Sequence, residues 1–238
     1  MKKKENTANL MVDRKSIERI CGYADIGRSD SVLEIGAGTG NLTEALAARA
    51  GHVYAVEKNR RFCCMLEERF SGAGNVEIIC GDALRVGFPS FDKVVSNLPY
   101  HISRKFSERL LQEKFNLAVI VYQKEFAEKL VALPGSDSYR NISALAQSCA
   151  KIEVLDTIPP EAFSPKPKVY SSIVRMRQKM LPEKEYVEFL RTLFSQKNKL
   201  VEKILGRNVP PAFAKKRPRQ ITPAELRRLY LIILPVIK

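Results

Sequence analysis

The tetrapeptide Asn97-Leu98-Pro99-Tyr100 closes the β-branched run Lys93-Val94-Val95-Ser96, and its residue types suit work on an aromatic amine. The exocyclic amine of adenine is a poor nucleophile because its lone pair is delocalised into the ring. The side-chain oxygen of Asn97 and the backbone carbonyl of Leu98 can accept both N–H hydrogens and favour a pyramidal nitrogen. Pro99 stiffens the turn that aims that carbonyl and disfavours helix at Leu98. Tyr100 offers a ring face on which an extruded base can stack. An alkylated amine sheds its proton readily, so an activated donor would make a metal or a strong base unnecessary. The competing structural reading is a strand-terminating proline turn with a packed tyrosine.

A second cluster precedes it. Glu34-Ile35-Gly36-Ala37-Gly38-Thr39-Gly40 stands where a strand gives way to a helix. Glycines there let the backbone approach a ligand and permit turns that a Cβ would block. A dinucleotide fingerprint needs a third glycine where Asn41 stands. An acidic residue ahead of Gly-x-Gly-x-Gly is instead the arrangement of class I methyltransferases, which makes S-adenosyl-L-methionine the expected cofactor. Glu57, ending Tyr54-Ala55-Val56-Glu57, can accept both hydrogen bonds of a ribose diol, a need shared with nicotinamide enzymes. Asp82, after Cys80-Gly81, can accept from an adenine amino group. Acids at three successive strand ends, Glu34, Glu57 and Asp82, suit a cofactor lying across one edge of a sheet.

Such groups need a scaffold that brings successive strand ends together. From Ser31 to Val174, short β-branched runs alternate with amphipathic stretches, which predicts an α/β fold. Strands are expected at 31–35, 52–56, 76–80, 93–96 and 117–122, with later ones near 150–155 and 171–176. Helices are expected at 42–50, 60–70, about 104–112 and 124–132. Beyond Pro182, Tyr186, Phe189, Leu190, Leu193, Phe194, Lys197, Leu200, Val201 and Ile204 follow helical spacing, one face apolar except for Lys197. Thr222-Pro223-Ala224-Glu225 is a capping box that starts a last helix. The expected architecture is a Rossmann-like mixed sheet of the class I methyltransferase type with helices on both faces, plus a small all-α carboxyl-terminal domain. Residues 1–178 would bind the cofactor and catalyse, and residues 179–238 would form a basic helical RNA-binding domain.

Charge supports that division. The chain carries a net +14, which points to a polyanionic partner such as nucleic acid. The last 60 residues hold 14 Lys and Arg against 5 Glu and no Asp. Five cysteines, odd in number and without a Cys-x-x-Cys, together with only two histidines argue against a metal site. Cys21, Cys63, Cys64, Cys80 and Cys149 sit in apolar contexts that suggest free buried thiols in a reducing, cytoplasmic setting. No apolar run reaches membrane-spanning length, and Met1-Lys2-Lys3-Lys4 leads into polar residues rather than a signal core.

With these motifs in order, the chain resembles the rRNA adenine N6,N6-dimethyltransferases, from about Asn9 to Gln196. Asn9-Leu10-Met11-Val12-Asp13 is similar to the family's Gln-Asn-Phe-Leu-Val-Asp, with Ala8, Leu10 and Met11 replacing glutamine, phenylalanine and leucine. The resemblance implies cofactor contacts at Asn9, Met11, Glu34, Gly36, Gly38, Glu57, Asp82 and Asn97. Phe163-Ser164-Pro165-Lys166-Pro167-Lys168-Val169-Tyr170-Ser171 resembles the family's Phe-x-Pro-x-Pro-Lys-Val-x-Ser loop. It implies that Phe163 faces the target base opposite Tyr100, completing a catalytic set of Asn97, Leu98, Pro99, Tyr100 and Phe163. Tyr122-Gln123-Lys124-Glu125, Pro134 to Tyr139 and Arg191 to Gln196 lean toward the small-subunit branch, in its archaeal form. That branch implies N6,N6-dimethylation of two adjacent adenosines in a hairpin loop near the 3′ end of small-subunit rRNA, during ribosome biogenesis, by a monomer. The rivals are a 23S rRNA methylase of the macrolide-resistance type, a DNA adenine N6-methyltransferase and a non-catalytic assembly factor.

Overall fold

Parallel strands buried on both faces read as continuous apolar runs, and Leu117 to Val121, all buried, is the clearest example. The computed structural model describes residues 9–206 and 209–237. Its elements begin with β1 (Leu10–Met11), α1 (Arg14–Ala24), β2 (Ser31–Ile35), α2 (Asn41–Ala47), β3 (His52–Glu57) and α3 (Arg60–Arg69). There follow β4 (Val76–Cys80), β5 (Lys93–Asn97), α4 (Ser103–Leu110), β6 (Leu117–Gln123), α5 (Lys124–Leu130), α6 (Asn141–Cys149) and β7 (Ala150–Ile158). The chain continues with β8 (Phe163–Ser164), β9 (Ser171–Gln178), α7 (Lys184–Ser195), α8 (Val201–Leu205), α9 (Pro211–Ala214) and α10 (Pro223–Ile237). Ala8, at the family's glutamine position, lies outside the described residues.

The main sheet has the order β4-β3-β2-β5-β6-β9-β7. Strands β4 through β6 pair in parallel, and β9 runs antiparallel to β6 from Leu117↔Arg177 to Gln123↔Ser171. Because β2 is flanked by β3 on one side and β5 on the other, the winding reverses there. A crevice forms at the carboxyl ends of strands at such a reversal. A separate two-stranded pairing joins β1 to β8, with Leu10 opposite Ser164 and Met11 opposite Phe163. Helix α1, absent from the sequence expectations, is capped by Asp13, whose Oδ2 accepts from the Ser16 amide at 2.9 Å and the Ser16 hydroxyl at 2.6 Å. Its Ile17, Ile20, Cys21 and Ala24 join the apolar cluster of Val95, Val119 and Val121.

The described residues form two compact units. One comprises 9–106, 114–127 and 153–177; the other comprises 107–113, 128–152 and the described residues from 178 onward. The division therefore does not fall at a single point near 178, since α6 belongs with the carboxyl-terminal helices. In that second unit α6 packs with α7 and α10, and the Tyr139 hydroxyl donates to the Ile221 carbonyl at 3.2 Å. Tyr186 and Tyr230 rings lie 5.1 Å apart, and the Arg227 guanidinium sits 4.9 Å from the Tyr186 centroid. The expected continuous face from Tyr186 to Ile204 is interrupted: α7 ends at Ser195 and Leu200 is extended (φ −68°, ψ 143°) before α8 starts. The intervening Lys197, Asn198 and Lys199 offer little apolar surface to hold another turn. The capping box forms as expected, with Glu225 N donating to Thr222 Oγ1 at 3.2 Å and Thr222 N donating to Glu225 Oε2 at 3.0 Å.

The thiol expectation requires correction. Cys63 and Cys80 are joined in a disulfide, which leaves Cys21 and Cys149 buried and Cys64 exposed as free cysteines. Cys63 at the start of α3 and Cys80 at the end of β4 are brought to a Cα separation of 5.8 Å, within bridging reach. No helix among the described residues is long and apolar enough to cross a membrane.

Candidate active site

A cavity of about 990 Å³ opens at the carboxyl edge of the parallel strands. Each strand end contributes: Gly36 to Asn41 after β2, Glu57 to Asn59 after β3, Gly81 to Ala83 after β4, Asn97 to Ile102 after β5, and Gln123 ending β6. The residues singled out as Asn9, Met11, Glu34, Gly36, Gly38, Glu57, Asp82, Asn97, Leu98, Pro99 and Tyr100 all line it. Phe163 does not.

On the cofactor side, Glu57 is held by two backbone donors, Gly38 N on Oε2 at 2.9 Å and Asn59 N on Oε1 at 2.7 Å. Each oxygen retains a further lone pair toward the cavity, so the carboxylate remains able to accept from two hydroxyls. Gly38 has φ +58°, and a Cβ there would stand 2.5 Å from Leu10 Cδ2. Only glycine allows that turn and that approach together. Glu34 is 2% exposed, and Thr43 Oγ1 donates to its Oε2 at 2.6 Å. Burial, aided by the charge of Glu57, pushes its carboxyl up to about 8 against the Thr43 hydrogen bond. Asp82 is already engaged: Lys58 Nζ lies 2.8 Å from Oδ2, and Leu84 N donates to Oδ1 at 2.9 Å. The Lys58 hydrogen bond, followed by that of Leu84, holds this carboxyl below its ordinary value. Sequence spacing did not point to Lys58, though it directly follows Glu57.

The Asn97–Tyr100 turn is held by contacts on more than one side. A Cβ on Gly36 (φ +73°) would meet Pro99 Cγ and Cδ at 2.9 Å, so the glycine loop and the Pro99 ring are in close contact. Leu98 is buried as an anchor, and Ser96 Oγ donates to the Ile35 carbonyl at 2.7 Å. Asn97 Nδ2 donates to the Asn9 carbonyl at 3.0 Å. An acceptor at that place demands the amide nitrogen, which turns Oδ1 away from Asn9 and leaves it to accept from a ligand. The carbonyl is itself held in place because Asn41 Nδ2 donates to Met11 O at 3.0 Å, and Val12 N and Asp13 N donate to Ala162 O. Tyr100 Oη and Ser171 Oγ share a hydrogen bond of 2.6 Å. Burial raises the Tyr100 phenol above its ordinary value, with Ser171 opposing.

Phe163 lies at 3% exposure in the apolar cluster with Met11, Ile17 and Ile20, directly opposite Met11 in the β1–β8 pair. That pairing sets it beneath the amino-terminal strand β1, next to the Met11 that lines the cavity. Gln123 and Asn41 line the cavity and Ser171 braces Tyr100, yet none was chosen from sequence. Ser171 ends the Phe-x-Pro-x-Pro-Lys-Val-x-Ser stretch, which was the available signal.

A reversed-winding sheet with a glycine turn after its first parallel strand, and a carboxylate after the next, defines a class I methyltransferase fold. The Asn97 turn follows its fourth parallel strand and opens onto the same cavity. Within that class, the chain belongs to the ribosomal RNA adenine dimethylase family, whose model matches residues 1–227. It is 39% identical to the probable ribosomal RNA small subunit methyltransferase A of Methanothermobacter thermautotrophicus, over 92% of this chain and 86% of that one. The protein of the same name from Pyrococcus furiosus is 38% identical, over 93% of this chain and 88% of that one. Among solved structures, a dimethyladenosine transferase from Plasmodium falciparum superposes with TM-score 0.85 at 29% identity, covering 95% of this chain and 98% of that one. The 23S rRNA methyltransferase ErmE gives 0.71 at 28%, covering 93% and 99%.

Proposed function

We propose that this protein dimethylates N6 of two adjacent adenosines in the 3′-end hairpin loop of small-subunit rRNA, using S-adenosyl-L-methionine, during ribosomal subunit biogenesis. The observation that carries the reading is the shared cavity: the Asn97 turn and the Glu57–Gly38 cradle open onto the same space. The small-subunit choice draws on the relatives named for that subunit, at 38–39% identity. The 23S rRNA methyltransferase ErmE is 28% identical.

The bound sulfonium would supply an electrophilic methyl group. Glu57 would take the ribose hydroxyls, Asp82 the adenine end, and the Gly36–Gly40 turn the remainder of the cofactor, with Asn9 and Met11 closing over it. Asn97 Oδ1 and the Leu98 carbonyl would accept the two amine hydrogens, which holds the nitrogen lone pair out of conjugation. Tyr100, fixed through its hydroxyl, would present its ring to the base. Phe163 would act through Met11. A loop suits this chemistry because its bases are already partly unstacked. The basic residues beyond 178 would hold rRNA phosphates, with affinity falling as salt rises.

The test is to incubate the purified protein and S-adenosylmethionine with unmodified archaeal small subunits, large subunits and duplex DNA, and to map products by mass spectrometry. Two neighbouring dimethyladenosines in small-subunit rRNA are expected. Preferential modification of large subunits or DNA would overturn the reading.

A further inference from the structure

Tyr170 is 54% exposed, and Val169 beside it is exposed as well. An exposed aromatic on a loose loop is unremarkable, but the backbone of Tyr170 is pinned. Its carbonyl accepts from Lys124 N at 3.0 Å, one position beyond the Gln123↔Ser171 register pair at the carboxyl edge of the sheet. The next residue, Ser171, is buried and holds the Tyr100 hydroxyl at 2.6 Å. Tyr170 is thus mounted one residue from the brace of the tyrosine that lines the cavity. Cations surround it in sequence and register: Lys166 pairs with Glu161, whereas Lys124 and Lys168 are exposed and pair with no acidic side chain among the described residues.

We propose that Tyr170 is a stacking platform for the unpaired RNA base next to the adenosine at Tyr100, with Lys124 and Lys168 on the flanking phosphates. This rests on the RNA-methylating reading above and adds how the neighbouring nucleotide is held. A ring of this kind, set among positive charges, suits single-stranded nucleic acid, since every base has a π-face. Sequence tolerance matters here because two adjacent adenosines exchange places: when one enters the cavity, the other is its neighbour. A platform that reads no base edges serves both rounds.

The experiment uses the full-length protein with S-adenosylhomocysteine and small subunits reconstituted with 2-aminopurine in place of one of the two adjacent adenosines. Wild type is expected to quench the probe through stacking. Tyr170→Ala should lose that quenching and bind about five- to 150-fold more weakly, while Tyr170→Phe retains both. Lys168→Ala should keep the quenching and reduce the salt slope of binding by about 0.7. Unchanged quenching and affinity in Tyr170→Ala would overturn the platform. Weaker binding of that variant with unchanged quenching would also overturn it, since the ring would then touch a ribosomal protein. If methylation of unlabelled subunits persists in wild type, either failure belongs to the platform alone. Absence of methylation and of binding would overturn the underlying reading as well.

Discussion

Substituting Asn97 by aspartate and by alanine separates its two hydrogen-bonding duties. Alanine removes the Oδ1 acceptor for the amine and the Nδ2 donor to the Asn9 carbonyl, now 3.0 Å away. Loss of one preorganised polar contact to the reacting group costs about 3–4 kcal/mol, or about 10²–10³ in the transfer rate. Aspartate keeps an acceptor of the same size, but turns a carboxylate oxygen toward the Asn9 carbonyl where an N–H had stood. An acceptor left unpaired in a half-buried site costs about 1–3 kcal/mol, which is about five- to 150-fold if it falls on the productive orientation. Single-turnover transfer of labelled methyl groups to unmodified small subunits should rank wild type above Asn97→Asp, and Asn97→Asp above Asn97→Ala. Calorimetric titration with S-adenosylhomocysteine should show cofactor affinity largely retained in both. Wild-type transfer by Asn97→Asp would refute the orienting role of Asn9. Wild-type transfer by Asn97→Ala would refute the assignment of Asn97 to the amine.

Gly38→Ala forces a left-handed φ of +58° onto a side chain aimed at Leu10, at a conformational cost of about 1–2 kcal/mol. Weaker S-adenosylhomocysteine binding by about tenfold and a lowered melting temperature are expected; unaltered binding would show that the turn tolerates a Cβ. The raised carboxyl of Glu34 stays protonated in the fold up to about pH 8, while the unfolded chain ionises it near 4.5. Its contribution to stability is therefore fully present below that lower value and declines by up to about 1.4 kcal/mol per pH unit across the window. Denaturation midpoints of Glu34→Gln should lose this slope, and an identical slope in both proteins would locate it elsewhere. Reducing the Cys63–Cys80 disulfide should lower stability by about 2–4 kcal/mol. A reductant should shift the urea midpoint of wild type but not of Cys80→Ala, and an equal response in both would count against the linkage.

The residues that line the cavity were legible because they stand at strand ends. A short β-branched run followed by Gly36 to Gly40, by Glu57 or by Asn97 to Tyr100 places a functional group at a known edge. Features that depend on pairing between distant segments were not legible. Strands β1 and β8 have two residues each, too few to show a period of two. Helix α6 is buried over most of its surface, so it lacks the polar face that betrays a helix. Nothing in the spacing of five cysteines selects Cys63 and Cys80, which meet only when α3 packs beside β4. Phe163 illustrates the same limit: its pairing with Met11 and its burial depend on a segment about 150 residues away in the chain.

The strap that fixes Asn97 also sets an order of assembly. Strand β1 is held by Ala162 to Ser164, and translation delivers those residues long after Asn9 has emerged. A nascent chain that stops short of Ala162 has Asn41, through the Met11 carbonyl, to steady the segment that aims the amide, but not the Ala162 carbonyl or the β8 pairing. The full fastening therefore arrives late, when the two distant segments meet, and a chain cut between them keeps every motif while the strand that steadies Asn97 is no longer tethered along the backbone.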